Sequence, residues 1–190
     1  MLTGGQTAER LYTYWSEKNT LPWSKVHFLF GDERCVSPEH SESNYALVMK
    51  TLFSSGLPAG CQVTRMHAES SDKETAAKEY GDRIPGMLDV LLLGLGQDGH
   101  IASLFPHNTA LENNETDVLP VEGPTSPHER LTITPGVISR ADSVFLLATG
   151  EKKGRILGKA LKSPEDFIAL PVCLTMQGTW LLDDAAQQQL

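Results

Sequence analysis

Short apolar runs recur along this 190-residue chain, and each is followed by a longer segment with amphipathic spacing. The clearest run is Asp89–Leu93, which is continuously apolar after its first residue and stops at a glycine-rich turn. Such a run is typical of a strand that is covered on both faces. Similar strands are predicted at 26–30 and 143–149, with helices at 45–53 and 150–161. Strands that alternate with helices predict an α/β domain with a mainly parallel sheet.

The remaining segments give weaker signals. Three further elements are predicted: strands at 62–66 and 179–182, and a polar surface helix at 71–83. Ser43 or Asn44 can cap the helix at 45–53, because their side chains accept hydrogen bonds from free amides at a helix start. The segment 106–129 carries prolines and acids with little periodicity, and is predicted to be irregular. We expect ligands beyond the carboxyl ends of the strands.

The charge balance limits the ligands that this chain can bind. It has 24 acidic and 16 basic residues, with a net charge of -8 and a pI near 5.2. A broad nucleic-acid surface is therefore not expected, since such surfaces cover phosphates with cations. An anionic small molecule remains compatible with the sequence if basic residues converge on it.

The cysteines and the apolar runs indicate the compartment. Cys35, Cys61 and Cys173 are widely spaced and odd in number, so they form neither a disulfide framework nor a zinc motif, and they fit a reducing compartment. No apolar run approaches the roughly 20 residues that span a bilayer. Residues 1–6 have neither a basic start nor an apolar stretch, so no signal peptide is predicted. We expect a cytoplasmic protein without membrane association.

Two motifs follow strands. Gly31-Asp32-Glu33-Arg34 places three charges after an apolar run, which by itself favours a solvated turn over an oriented guanidinium. The second motif runs from Gly94 to His100, in which Asp98 can orient His100 or raise its basicity. It only partly imitates a dinucleotide fingerprint and lacks the GxSxG pattern of serine hydrolases.

A third set of residues is scattered along the chain. Gly4 and Gly5, followed by Thr7, precede a predicted helix and could offer free amides to a phosphate. Arg130 can donate two hydrogen bonds to phosphate oxygens, and Lys153 can add a point charge. Each residue alone is more typical of an ordinary surface. Together they indicate a phosphate site only if the fold brings them to one place.

Taken together, these segments resemble the 6-phosphogluconolactonase family, within the larger group that also contains glucosamine-6-phosphate deaminases. The stretch from Gly94 to Pro106 is the most specific, and the segment from Phe30 to Val36 supports it. The other matching stretches are Thr3–Thr7, Ser43-Asn44, Arg130–Thr132, Gly150 with Lys153, and Leu170-Pro171. The resemblance covers essentially the whole chain and implies a three-layer, Rossmann-like open sheet.

The resemblance further implies hydrolysis of 6-phosphogluconolactone in the oxidative pentose phosphate pathway, without a metal or an organic cofactor. His100 would be the general base, Asp98 would orient it or contact sugar hydroxyls, and Arg34 would stabilise the oxyanion. The phosphorylated sugar would be bound by Gly4, Gly5, Thr7, Asn44, Arg130 and Lys153. The oligomeric state does not follow from the sequence.

The chain departs from the family pattern at its start. A helix and a buried strand normally precede the glycine pair, but here only three residues do. We therefore expect one domain over residues 1–190, shortened at its N-terminus, with part of the sheet unpaired and a poorly anchored phosphate loop.

Two alternatives to a lactonase remain. A glucosamine-6-phosphate deaminase or isomerase would carry a glutamate soon after the DGH turn, where this chain has Ile101–Pro106 without an acid. That branch also has an acidic residue followed by tyrosine in place of Glu33-Arg34, so both differences favour the lactonase. The other alternative is a sugar-phosphate-binding protein that retains the pocket without catalysis.

Overall fold

A computed structural model describes all 190 residues. Its parallel strands are β1 (His27–Phe28), β3 (Gln62–Val63), β4 (Leu88–Gly94), β7 (Ala141–Ala148) and β8 (Thr179–Leu182). β1 pairs with β3, and β4, β7 and β8 form a second parallel group in that order. These strands confirm the predicted α/β class, although the first strand is shorter than the apolar run that predicted it.

Met1 and Leu2 lie between the two groups of strands. Leu2 forms a parallel bridge with Phe30, just after β1, and the Leu92 amide on β4 donates to the Met1 carbonyl at 3.0 Å. The N-terminal residues therefore connect β1 to β4 through hydrogen bonds on both sides. At this end, the order across the sheet is β3, β1, residues 1–2, β4, β7, β8.

The predicted gap in the sheet is confined to the space beside Met1, between the first residues of β1 and β4. There, an apolar cleft of about 470 Å³ lies between β1 and β4. Val90, on the β4 wall of this cleft, is 43% exposed although it lies in the middle of a strand.

A second, antiparallel sheet was not predicted. It consists of β2 (Asp32–Arg34), β6 (Glu129–Ile133) and β5 (Val118–Glu122), with β6 in the centre. The prediction that 106–129 is irregular was therefore wrong for β5. This sheet places Arg34 directly opposite Arg130.

Six α-helices and three short 3₁₀ turns complete the fold. The helices are α1 (Gln6–Lys18), α2 (Asn44–Thr51), α3 (Lys73–Gly81), α4 (Pro135–Ser139), α5 (Glu151–Lys162) and α6 (Asp184–Gln187). The 3₁₀ turns are Trp23–Lys25, Thr109–Glu112 and Pro171–Thr175. Of the two predicted caps, Ser43 is the N-cap of α2, with its Oγ accepting from the Ala46 amide at 3.1 Å.

The parallel sheet is covered on both faces. Leu92 and Leu147 face a core that includes Ala8 of α1 and Val48 of α2. The alternate residues of the same strands, such as Leu91, pack on the other face with residues of α3, α4 and α5. This arrangement gives three layers and explains why β4 has no polar face. None of the helices combines the length and apolarity needed to cross a membrane.

Candidate active site

One pocket lies at the carboxyl ends of the parallel strands. The segments that follow residues 1–2, β1, β4 and β7 all reach it. Eight of the nine predicted site residues line this pocket: Gly4, Gly5, Thr7, Arg34, Asn44, His100, Arg130 and Lys153. The ninth, Asp98, lies behind His100 and bonds to it. The structure thus brings together residues that the sequence spreads over 150 positions (Gly4 to Lys153).

Asp98 fixes the orientation of the His100 imidazole. Its Oδ1 lies 2.5 Å from His100 Nδ1 and also accepts from the His100 amide at 3.2 Å. Burial would raise the pKa of Asp98, but the hydrogen bonds and the charge of His100 outweigh that effect and hold the pKa below its ordinary value. An ionised Asp98 accepts the proton on Nδ1, and this leaves Nε2 free to act as a base.

The glycine-rich turn after β4 leaves room for this imidazole. A Cβ at Gly96 would lie 2.1 Å from His100 Nδ1, so no side chain fits there without displacing the ring. Gly96 also donates its amide to the His100 carbonyl at 2.8 Å. Gly99 has a φ of +94°, which favours glycine.

Phe105, which the sequence interpretation did not single out, packs close to both His100 and Arg130. Its ring centroid is 4.6 Å from that of His100 and 5.5 Å from the Arg130 guanidinium carbon. The side chain is buried, with 6% exposure. Phe105 therefore packs against both the His100 imidazole and the Arg130 guanidinium.

Arg34 and Arg130 place two positive charges side by side in the pocket. They are directly opposed in the β2–β6 pair, an arrangement that is unfavourable for like charges. Burial lowers the pKa of Arg130, and the charge of Arg34 lowers it further. Arg34 Nε is buried without a hydrogen-bond partner. An anion between the two guanidinium groups would offset the repulsion between them and would accept a hydrogen bond from Arg34 Nε.

Other protein groups hold these arginines in place. Arg34 Nη1 donates to the Glu42 carbonyl at 2.7 Å. Arg130 Nε donates to the Pro127 carbonyl at 3.2 Å, and its Nη2 donates to the Thr125 carbonyl at 3.3 Å. Carbonyls thus orient both guanidinium groups, and Arg34 Nη1 also forms an ion pair with the Glu42 carboxylate at 3.4 Å.

The interpretation of Gly31–Arg34 as a solvated turn was wrong, because Asp32 and Glu33 are about 5% and 4% exposed. Glu33 accepts from the amides of Arg34, Asn44 and Tyr45 at 2.7–2.8 Å. Burial raises the pKa of Glu33 even though these bonds oppose the shift. Glu33 thereby fixes the start of α2 relative to Arg34.

Asp32 orients Asn44 in the pocket wall. Its Oδ1 accepts from Asn44 Nδ2 at 3.0 Å, and its Oδ2 accepts from Ser103 Oγ at 2.7 Å. A Cβ at Gly4 would lie 1.9 Å from Asn44 Oδ1, so only glycine allows this close approach of the loop to α2. The residue types alone did not reveal Asp32 and Ser103 as part of the site, since both depend on the packing of distant segments.

Two helices begin at the pocket without side-chain caps. Gly5 precedes α1 with a φ of +95°, and Gly150 precedes α5 with a φ of +88°. Thr7 and Thr149 join the two helix starts, with their Oγ1 atoms 3.1 Å apart. Burial lowers the pKa of Lys153 in the first turn of α5. The first amides of α1 and the Lys153 ammonium together favour an anion at this end of the pocket.

The described residues suggest no metal centre. No three histidine, cysteine or acidic side chains come together in a group that could hold a metal ion. The polar groups of the pocket are one imidazole, three cations and backbone amides, together with the side chains of Thr3, Gln6, Thr7, Asp32 and Asn44.

The fold and the pocket define an α/β protein whose sheet carries, at its carboxyl edge, a pocket lined by one imidazole and three cationic side chains. The chain belongs to the family described as glucosamine-6-phosphate isomerases/6-phosphogluconolactonase, whose model matches residues 1–182. It is 34% identical over 202 aligned residues to a 6-phosphogluconolactonase of Synechocystis, covering all of this chain and 83% of that protein. It is 37% identical to a 6-phosphogluconolactonase of Homo sapiens, covering 85% of this chain and 67% of the relative.

A solved structure agrees with the sequence relatives. The crystal structure of a 6-phosphogluconolactonase from Shewanella baltica matches this chain with a TM-score of 0.83 and 26% identity. That match covers 95% of this chain and 80% of the other. The family resemblance inferred from the motifs is therefore confirmed.

Proposed function

We propose that this chain hydrolyses 6-phosphogluconolactone to 6-phosphogluconate, with residues 1–190 acting as one sugar-phosphate-binding domain. The observation that carries the proposal is the convergence of the Asp98–His100 pair, two opposed arginines and an uncapped helix start on a single pocket. The relatives named above are 6-phosphogluconolactonases over nearly the whole of this chain. The acidic chain thus concentrates three of its cations where a phosphorylated sugar would bind.

In the proposed reaction, His100 Nε2 takes a proton from a water molecule as the water oxygen attacks the lactone carbonyl carbon. The carbonyl oxygen becomes an oxyanion, and the Arg34 guanidinium is the donor proposed to stabilise it. When the tetrahedral intermediate collapses, the ring C–O bond breaks and the ring oxygen receives the proton from His100. The step consumes one water and leaves the enzyme unchanged, so it requires no covalent nucleophile.

We assign the phosphate to the end of the pocket where α1 begins. Gly4, Gly5 and Thr7 supply the loop and helix amides, and Lys153 supplies a charge. Arg130 and Asn44 line the same pocket, and we assign Arg130 to the phosphate and Asn44 to the sugar. One base, one oxyanion donor and firm positioning suffice for catalysis, because the lactone ester is already labile.

We also infer that the protein is cytoplasmic and acts on this small molecule without nucleic acid or cofactor. In support, Cys35, Cys61 and Cys173 are all free thiols, which fits a reducing compartment. The net charge of -8 also argues against a nucleic-acid partner.

The test is enzyme-dependent loss of 6-phosphogluconolactone above its spontaneous hydrolysis, measured with the purified chain. Ammonia release from glucosamine 6-phosphate, measured in parallel, would favour the deaminase alternative. Binding of 6-phosphogluconate without any acceleration of lactone loss would favour the non-catalytic alternative. Lactone loss above background without ammonia release supports the proposal.

A further inference from the structure

The backbone leaves the parallel sheet abruptly at Thr3. Both backbone groups of Met1 bond to β4, and both backbone groups of Leu2 bond to the segment that follows β1. Successive residues of a strand direct their amide and carbonyl groups to opposite sides, so Thr3 would next bond to β4. It does not do so.

A tyrosine hydroxyl takes the place of that ladder pairing. The Thr3 amide donates to Tyr12 Oη at 3.0 Å, and Tyr12 Oη donates to the Thr3 carbonyl at 2.8 Å. The β4 amide that the ladder would use, that of Gly94, donates instead to Thr3 Oγ1 at 3.1 Å. Every one of these groups is satisfied, but the backbone at Thr3 is turned away from β4.

The position of Tyr12 on α1 makes this contact possible. Side chains of an α-helix lean toward its N-terminus, so a residue on the buried face of α1 reaches back under the loop that precedes the helix. Tyr12 is fully buried, and burial raises its pKa far above the ordinary value, so the hydroxyl keeps the proton it donates. The same helix therefore presents amides to the pocket and holds the loop that leads into it.

We propose that Tyr12 is the positioning residue of the phosphate loop, where its hydroxyl replaces the sheet ladder at Thr3 and directs Gly4, Gly5 and the first amides of α1 toward the pocket. The inference rests on the proposed function, because it assigns that loop to the phosphate. Tyr12 does not line the pocket and contacts the loop only from behind. Its effect should therefore appear in the binding of phosphorylated ligands.

Tyr80 of α3 provides a matched control. Its Oη accepts from the Phe30 amide at 2.7 Å and donates to the Phe30 carbonyl at 3.0 Å, which is the same double contact at the end of another strand. Tyr80 is also buried, and it lies outside the pocket. The residues after Phe30 keep an independent anchor, because β2 pairs with β6 and Glu33 binds the start of α2. Loss of either hydroxyl should lower stability to a similar extent.

The experiment compares Tyr12→Phe and Tyr80→Phe with the unsubstituted chain. For Tyr12→Phe we expect the KM for 6-phosphogluconolactone and the Kd for 6-phosphogluconate to rise about fivefold to tenfold, the worth of one or two hydrogen bonds. The kcat should change less than about twofold, since the base is not touched. Tyr80→Phe should lower the urea midpoint similarly while leaving KM and Kd unchanged. The KM for unphosphorylated gluconolactone should be the same in all three proteins.

Two outcomes would overturn the inference: an unchanged Kd for 6-phosphogluconate in folded Tyr12→Phe, or equal increases in Kd for both variants. If Tyr12→Phe does not fold in dilute buffer, the same Kd comparison of the three proteins is made in sucrose, an excluded osmolyte that favours the folded state. Absence of lactone hydrolysis by the unsubstituted chain would contradict the proposed function alone, since the Kd comparison needs no turnover.

Discussion

Alanine at Gly96 should displace His100, the proposed base, while leaving the fold intact. The added Cβ would lie 2.1 Å from His100 Nδ1 and 2.2 Å from Cε1, whereas ordinary contacts are about 3.5 Å. The imidazole must therefore move by more than about 1 Å, a misplacement that typically costs on the order of 100-fold in rate. The movement also breaks the 2.5 Å contact between Nδ1 and Asp98.

The structure predicts little loss of stability in this variant. Gly96 has no positive φ, so alanine fits the backbone. The three atoms nearest to the added Cβ belong to the His100 side chain, which is 27% exposed and can swing outward. We expect Gly96→Ala to lower kcat on the order of 100-fold while the Kd for 6-phosphogluconate changes less than about threefold.

The assay is lactone loss corrected for spontaneous hydrolysis, together with calorimetric titration of 6-phosphogluconate. Gly86→Ala is the matched control, because Gly86 also lacks a positive φ and a Cβ there would meet no atom within 4 Å. The control should retain full activity. Full activity in Gly96→Ala would refute the assignment of His100 as the base, and loss of ligand binding would show that the substitution disturbs the whole pocket.

Three further predictions address the cations and the sheet. Arg34→Ala should lower kcat on the order of 100-fold. Arg130→Ala should raise KM roughly tenfold or more, with a smaller effect on kcat. If steady-state kinetics instead showed the KM effect for Arg34→Ala and the kcat effect for Arg130→Ala, the two proposed roles would have to be exchanged. Because burial lowers the pKa of Lys153, the affinity for 6-phosphogluconate should fall with rising pH before the ~10.4 of an ordinary lysine is reached. Lys153→Arg should abolish this fall in calorimetry, and identical pH profiles would contradict the assignment. An apolar extension of about five residues before Met1 would fill the cleft between β1 and β4, and should stabilise the protein by about 2 kcal/mol. Equal urea midpoints with and without the extension would count against this reading of the cleft.

The parts of the fold that the sequence predicted are those with strong local signals. β4 and α5 were recognisable because an uninterrupted apolar run and a single apolar helix face depend only on neighbouring residues. The glycine-rich turn after β4 was recognisable for the same reason. It indicated His100 and Asp98 as a pair.

The antiparallel sheet could not be predicted in this way. β2 consists of Asp32–Arg34, three charged residues whose strand geometry comes from pairing with β6 rather than from their own propensity. Pro120 likewise obscured β5. The burial of Glu33 depends on amides that α2 supplies from ten or more positions away, so its residue type indicated a surface turn instead.

The loop that we propose to bind phosphate is also better anchored than the sequence predicted. The three residues before the glycine pair predicted a loose loop, but Thr3 is 5% exposed and bonds to Tyr12 and Gly94. The stabilising group is the Tyr12 hydroxyl, on α1, whose apolar spacing otherwise indicates only packing against the sheet. Contacts of this kind become visible only when the helix and the sheet are placed together.

The central claim is that one imidazole, oriented by Asp98, activates water against a lactone bound in this pocket. The most direct test compares the unsubstituted chain with His100→Ala in lactone hydrolysis and in 6-phosphogluconate binding. The account predicts that kcat falls about 100-fold or more while the Kd stays within about threefold, because general-base catalysis is lost and the cations remain. A His100→Ala variant that hydrolyses the lactone at the unsubstituted rate would contradict it.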